Sequence, residues 1–102
     1  MRPESLSDTM TDEKDTGTEI RRRRARFRSW HRGMREMDLI LGRFADERVA
    51  ALTPGELEQY EALLDIIDAE LLGWITGASP TPADVVPIFF QVRDYASRSM
   101  TP

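Results

Sequence analysis

The sequence has no cysteine and a single histidine. The first absence excludes disulfides and thiolate metal sites. The second leaves zinc or haem without a ligand set. Apolar runs end after a few residues, far below the roughly 18–20 that a membrane-spanning helix needs. Neither a glycine-rich phosphate loop nor a serine elbow is present, so the usual catalytic sets cannot be completed. No stretch alternates apolar and polar residues as a half-buried strand does. These absences argue for a soluble, helical protein that is not an enzyme.

Charge of one sign is scarce only locally. The 102 residues carry a net charge of −4, divided into blocks. Residues 1–20 hold six acids (Glu4, Asp8, Asp12, Glu13, Asp15 and Glu19) against Arg2 and Lys14. Residues 21–35 hold eight arginines and no acid, and residues 36–102 hold twelve acids against four arginines. A compact basic patch on an otherwise acidic chain is a directed electrostatic surface. Residues 1–20 have almost nothing apolar and no periodicity, and read as a disordered acidic tail. They lack the apolar core of a secretory signal and are too acidic for a mitochondrial transit peptide. A cytoplasmic location is therefore expected.

Residues 21–102 read as one helical domain. Phe27 and Trp30, with Met34 beyond, mark one side of a first helix. Met37, Leu41, Phe44 and Leu52, flanked by Ile40 and Val49, mark a second. The stretch "LTPGE" stops that helix, because Pro54 disfavours helical geometry at Thr53. It also starts a third, with Thr53 as N-cap, Pro54 in the first helical position and Glu56 closing a capping box. Leu57, Tyr60, Leu64 and Ile67 form the inward stripe of this third helix. Asp68 is the expected cap of a short fourth helix bearing Leu71, Leu72, Trp74 and Ile75, which Gly77 ends. A fifth is expected to begin at Thr81, Pro82 and Asp84, with Pro87 in its first or second turn and Val85, Phe89, Val92 and Ala96 inward. The fold class is all-α, a small five-helix bundle behind a disordered tail.

Four features carry possible chemistry. Glu58, Glu61, Asp65 and Asp68 share one face of the third helix, which reads as a solvated face rather than a metal or acid–base site. The run "RRRRARFR" could bind phosphates with Phe27 or Trp30 stacking on bases. The same aromatics fit an inward helical stripe with the arginines outward. His31 has no visible acid or nucleophile beside it and reads as a packing or surface residue. Gly33 falls between two apolar stripes, at a corner where positive φ is useful. An exposed glycine there also lets a partner backbone approach, with Arg32 and Glu36 on either side.

The stretch "HRGMREMD" resembles the start of the FAD assembly factors of succinate dehydrogenase, the SdhE type. The R-G-x-x-E pattern of that family falls on Arg32, Gly33 and Glu36. Downstream, "FADERVAALTPGELEQYEALLDIIDAELLGWITG" is similar to the family's L-(S/T) helix break, acidic helix and D-x-(D/E)-L-x-x-W signature, here on Asp68, Glu70, Leu71 and Trp74. The resemblance covers residues 25–98. His31 stands where a basic residue often precedes the motif's arginine, and the acidic tail has no counterpart.

The resemblance implies an assembly chaperone that binds the flavoprotein subunit of succinate dehydrogenase and promotes covalent attachment of FAD to it. The fumarate reductase flavoprotein is a second candidate client. FAD would belong to the partner, with no cofactor held stably by this chain. The partner-binding set is Arg32, Gly33 and Glu36, with His31 and Arg35 beside them. In it Arg32 makes a bidentate bond to the partner, and Glu36 accepts from the partner or locks Arg32. Neither membrane nor nucleic acid is an expected partner. Two alternatives stand beside this reading: an arginine-rich nucleic-acid adaptor and a toxin-neutralising interaction module.

Overall fold

A computed structural model of the protein describes the backbone over residues 4–100 and the side chains over 17–98. Five helices follow one another: α1 (Glu4–Trp30), α2 (Arg35–Arg48), α3 (Pro54–Leu64), α4 (Asp68–Thr76) and α5 (Ile88–Met100). A single 3-10 turn, Val49–Ala51, extends α2. No strand occurs among the described residues. α1 packs on α2 and α3, and α5 closes the far side against α2, α3 and α4. Of the tail expected to be disordered over residues 1–20, residues 1–3 lie outside the described set, the side chains of 4–16 lie outside it, and residues 17–20 belong to α1. α1 begins at Glu4.

The core follows the helical stripes closely. Met37, Leu41 and Phe44 of α2, Leu57 and Tyr60 of α3, Leu71 of α4, and Phe89 and Val92 of α5 are all fully buried. The α3 start is built as its residues dictate. The Glu56 amide donates to Thr53 Oγ1 and the Thr53 amide donates to Glu56 Oε1, a reciprocal capping box with Pro54 at the helix start. The bond from the Thr53 amide holds the Glu56 carboxyl below its ordinary range.

Three expectations are corrected. Phe27 is not inward but 62% exposed, while Ala25 and Ser29 form the buried face of α1. Ile67 is not part of the α3 stripe; it lies beyond the helix end, 68% exposed, and is itself the N-cap of α4, with Asp68 the first helical residue. The fifth helix starts not at Thr81 but at Ile88. Pro87 lacks an amide proton and disfavours helix at Val86, and the Ile88 amide is capped from outside by Gln59 Oε1 at 3.0 Å.

Small residues bring α1 close to its neighbours. Ser29 Oγ donates to the Ala25 carbonyl (2.7 Å) and meets Tyr60 Oη at 2.6 Å, and Tyr60 Oη also reaches the Leu41 carbonyl (3.3 Å). Burial pushes the Tyr60 phenol above its ordinary range, so it stays a neutral partner in this network. Gly42 has the Trp30 indole lying across it, where any Cβ would overlap the ring. The indole Nε1 donates to both carboxylate oxygens of Asp46 at 3.2 Å.

This contact sets opposing effects at Gly42. Alanine gains about 1 kcal/mol in helix propensity, but displacing a packed ring costs roughly 1–3 kcal/mol. Gly42→Ala is expected to lower the thermal midpoint. In a Trp30→Ala background the same change should raise it, since the obstacle is gone. Thermal melts of the four proteins check this, and a Gly42→Ala variant more stable than the parent would contradict the packing.

Candidate partner-binding site

The end of α1 and the start of α2 meet at a corner formed by residues 31–34. Gly33 has φ +91°, a left-handed conformation that side chains with a Cβ adopt only under strain. It is exposed, with nothing within 4 Å of where a Cβ would stand. Met34 follows in extended geometry (φ −132°, ψ 121°) and caps α2 without a side-chain bond. Asp38, one turn into α2, accepts from the Arg32 amide at 2.6 Å and fastens the corner from inside.

Arg32 points inward. Its side chain is 9% exposed. Nε donates to Asp68 Oδ1 at 2.7 Å, Nη1 to the Leu64 carbonyl and Nη2 to the Ile66 carbonyl at 2.8 Å. The two carbonyls lie at the C-terminal end of α3, where acceptors lack helical partners and the dipole is negative. The expected bidentate bond from Arg32 to a partner, locked by Glu36, is therefore corrected. Asp68 and Asp38 hold this residue, and its guanidinium fixes the α1–α2 corner to the α3–α4 turn.

The outward positions are the others. His31 is exposed, its Nδ1–H donates to the Phe27 carbonyl (2.7 Å), and its ring stacks on Phe27 with centroids 3.9 Å apart. Arg35 and Glu36 are exposed on the first turn of α2, and their side chains form no hydrogen bond or ion pair with another described residue. Glu36 also stands at the rim of a groove of about 360 Å³ lined by Ile40, Leu72, Ile75 and Ala96. His31, Gly33, Arg35 and Glu36 are thus exposed at the corner and the helical turn after it, while Arg32 is turned inward.

Half of the arginines in the run have internal partners. Arg21 pairs with Glu61 (2.7 Å), Arg28 with Asp65 (2.6 Å) and Arg32 with Asp68. Glu61, Asp65 and Asp68, expected on one solvated face of the third helix, are thus paired with arginines of α1 and its corner, and only Glu61 lies within α3, with Asp65 at its end and Asp68 opening α4. Arg22 donates to the carbonyls of Val49 and Leu52, both at 3.1 Å, closing the end of α2 as Arg32 closes the end of α3. Exposed pairs such as Arg28–Asp65 contribute little, so the weight rests on Arg22 and Arg32. Sequence reasoning missed Asp38, Gly42 and Asp46. A glycine inside a helical pattern is a signal of close approach, but nothing in the sequence says what approaches. Among the described residues no cluster of histidines and acids suits a metal ion, and no helix is long and apolar enough to cross a membrane.

The family model described as "Flavinator of succinate dehydrogenase" matches residues 23–96. The protein "FAD assembly factor SdhE" of Acetobacter pasteurianus is 39% identical over 64 residues, covering 63% of this chain and 59% of that protein. "Succinate dehydrogenase assembly factor 2, mitochondrial" of Kluyveromyces lactis is 40% identical over 65 residues, covering 62% of this chain and 40% of its own length. Its counterpart from Yarrowia lipolytica is 41% identical over 59 residues, or 58% and 41% of the two chains. The aligned part therefore spans less than two thirds of these relatives. No solved structure matches the chain.

The inward geometry of Arg32 has a measurable consequence. Arg32→Ala leaves Asp68 and two helix-end carbonyls without their donor, and losing one partner of a largely buried charged set costs about 2–4 kcal/mol. Denaturant unfolding should therefore show a clear loss of stability. Glu36→Ala, which removes no internal contact, should unfold within about 0.5 kcal/mol of the parent. Equal stabilities for the two variants would return Arg32 to the surface.

Proposed function

The chain belongs to the family of succinate dehydrogenase flavinators, and from that premise we propose that it binds the flavoprotein subunit of succinate dehydrogenase and promotes covalent attachment of FAD to it. The observation that carries this reading is the exposed left-handed corner at Gly33, flanked by Arg35 and Glu36 with no internal partners among the described residues. A glycine with open space around it admits a partner's backbone at contact distance. Arg35 supplies donors and Glu36 an acceptor on the same exposed helical turn.

The chain works as an assembly chaperone rather than as an enzyme. FAD and the residue to which it is attached belong to the flavoprotein. A bound chaperone promotes such a reaction by favouring the partner conformation in which the reacting groups lie together. The fumarate reductase flavoprotein is a second client on the same reading, and the cytoplasm is the place of action. The internal pairing of Arg21, Arg22, Arg28 and Arg32 removes much of the charge that a nucleic-acid adaptor would use, which favours the protein partner.

The test compares Gly33→Ala, Gly33→Arg and Glu36→Ala in cells that lack the native chain. Any side chain at Gly33 pays about 1–2 kcal/mol for positive φ, so both Gly33 variants share one folding cost. Only arginine adds bulk to the docking corner. Covalent flavin on the flavoprotein, read as in-gel fluorescence after denaturation, should fall strongly for Gly33→Arg and for Glu36→Ala and least for Gly33→Ala. Full flavin content with soluble Gly33→Arg would end the proposal.

A further inference from the structure

Two large apolar side chains stand exposed beside the Gly33 corner. Phe27 and Ile67 are each more than three-fifths open to solvent. Together with His31 and Ile66 they line one pocket of about 320 Å³, with Arg28 and Arg32 also in its wall. Neither residue has a role in the fold that requires it. Phe27 lies on the outer side of α1, and its ring stacks on His31, itself exposed. Ile67 occupies the N-cap of α4 (φ −62°, ψ 136°) and gives that helix no side-chain bond. Serine, threonine or aspartate would close the first turn there, and isoleucine is among the poorest residues for it. A residue that leaves its helix uncapped while exposing apolar surface is placed for something outside the fold.

The surroundings say what that is. The pocket is continuous with the docking corner, because His31 and Arg32 belong to both. On its other side Phe27 shares a second hollow with Arg23, Arg24 and Arg28. Arg23 and Arg24 are exposed and form no ion pair with another described residue. The apolar spot is thus set in a positive field. A nucleic-acid base could stack on the Phe27–His31 pair. The opposite wall, however, is aliphatic Ile67, and the carboxylate beside it, Asp68, is already engaged by Arg32, so this wall suits an apolar side chain better than a base.

We propose that the Phe27–Ile67 pocket is a second anchor for the flavoprotein subunit, receiving an apolar side chain of that partner flanked by carboxylates. The proposal rests on the function proposed above and adds to the exposed Gly33 and Glu36 an adjoining site, whose wall Arg32 shares. The apolar side chain supplies contact area on Phe27 and Ile67. The carboxylates meet Arg23 and Arg24, which also speed the encounter. Docking at two adjoining points fixes the orientation of the partner, which one corner alone does not.

The test measures binding of the purified flavoprotein subunit to the full chain by calorimetry, for the parent, Phe27→Ala with Ile67→Ser, and Gly33→Arg. The double variant should bind about tenfold or more weakly while melting no lower than the parent, since Ile67→Ser supplies a better cap. If the double variant binds as the parent does while Gly33→Arg does not bind, the second anchor is wrong and the proposed function stands. If the parent itself does not bind, the proposed function falls and the anchor with it. Sedimentation of the parent as a dimer that the double variant dissolves would assign the pocket to a second copy. Loss of single-stranded oligonucleotide binding in the double variant would assign it to nucleic acid. Either result overturns the proposal.

Discussion

One buried guanidinium organises the molecule. Removing a charged group from water is costly unless its donors are met, and Arg32 meets them with a carboxylate and two carbonyls 32 to 36 residues away in sequence. Those acceptors lie at the end of α3 and the start of α4. α1 can therefore end only where the α3–α4 turn receives its last side chain. The corner that follows is fixed by the same bonds, and its direction of exit requires the positive φ at Gly33. Arg22 repeats the device three turns earlier by closing the carbonyls after α2. α1, held by helix-end carbonyls through Arg22 within it and Arg32 just beyond its end, has little freedom to slide.

These reaches are short enough only because α1 lies close to α2 and α3. Ala25 and Ser29 on α1 and Gly42 on α2 remove the bulk that would hold the axes apart. The Ser29 hydroxyl this buries is met by the Ala25 carbonyl and by Tyr60, so close approach carries no unsatisfied polar group at Ser29. Trp30 then covers the seam across Gly42, with its indole nitrogen turned to Asp46. Packing with small residues and charge satisfaction by arginine are thus one design: each would fail without the other.

How much of this was legible in the sequence depended on whether a signal was local. The Thr53–Glu56 capping box, the stop at Gly77 and the left-handed Gly33 are properties of a few adjacent residues, and the structure has all three. The five-helix, all-α class followed from apolar spacing and is what the structure shows. The pairing of the arginines was not legible. Arg21 with Glu61 and Arg28 with Asp65 depend on the register of α1 against α3, some 40 residues apart, and no window of sequence contains both partners. The start of α5 was misplaced because Thr81 and Pro82 look like a helix entry, whereas Pro87 and the distant amide oxygen of Gln59 set the true one.

Phe27 and Ile67 were misread for a more instructive reason. Apolar spacing assigns every large hydrophobic residue in phase to the interior, and a helix whose buried face is alanine and serine gives it nothing to correct that choice. What distinguishes these two residues is not spacing but lack of work: one stacks on an exposed histidine, and the other fills a capping position without capping. A sequence that engages all three guanidinium nitrogens of Arg32 inside its fold departs from local preference where stability is not what is being served. The R-G-x-x-E motif divides along the same line. Its arginine faces inward and sets the geometry, while its glycine and glutamate face outward and use it. A motif read as a single unit is therefore divided between an inward arginine and an exposed glycine and glutamate, and the exposed Phe27 and Ile67 stand beside the latter.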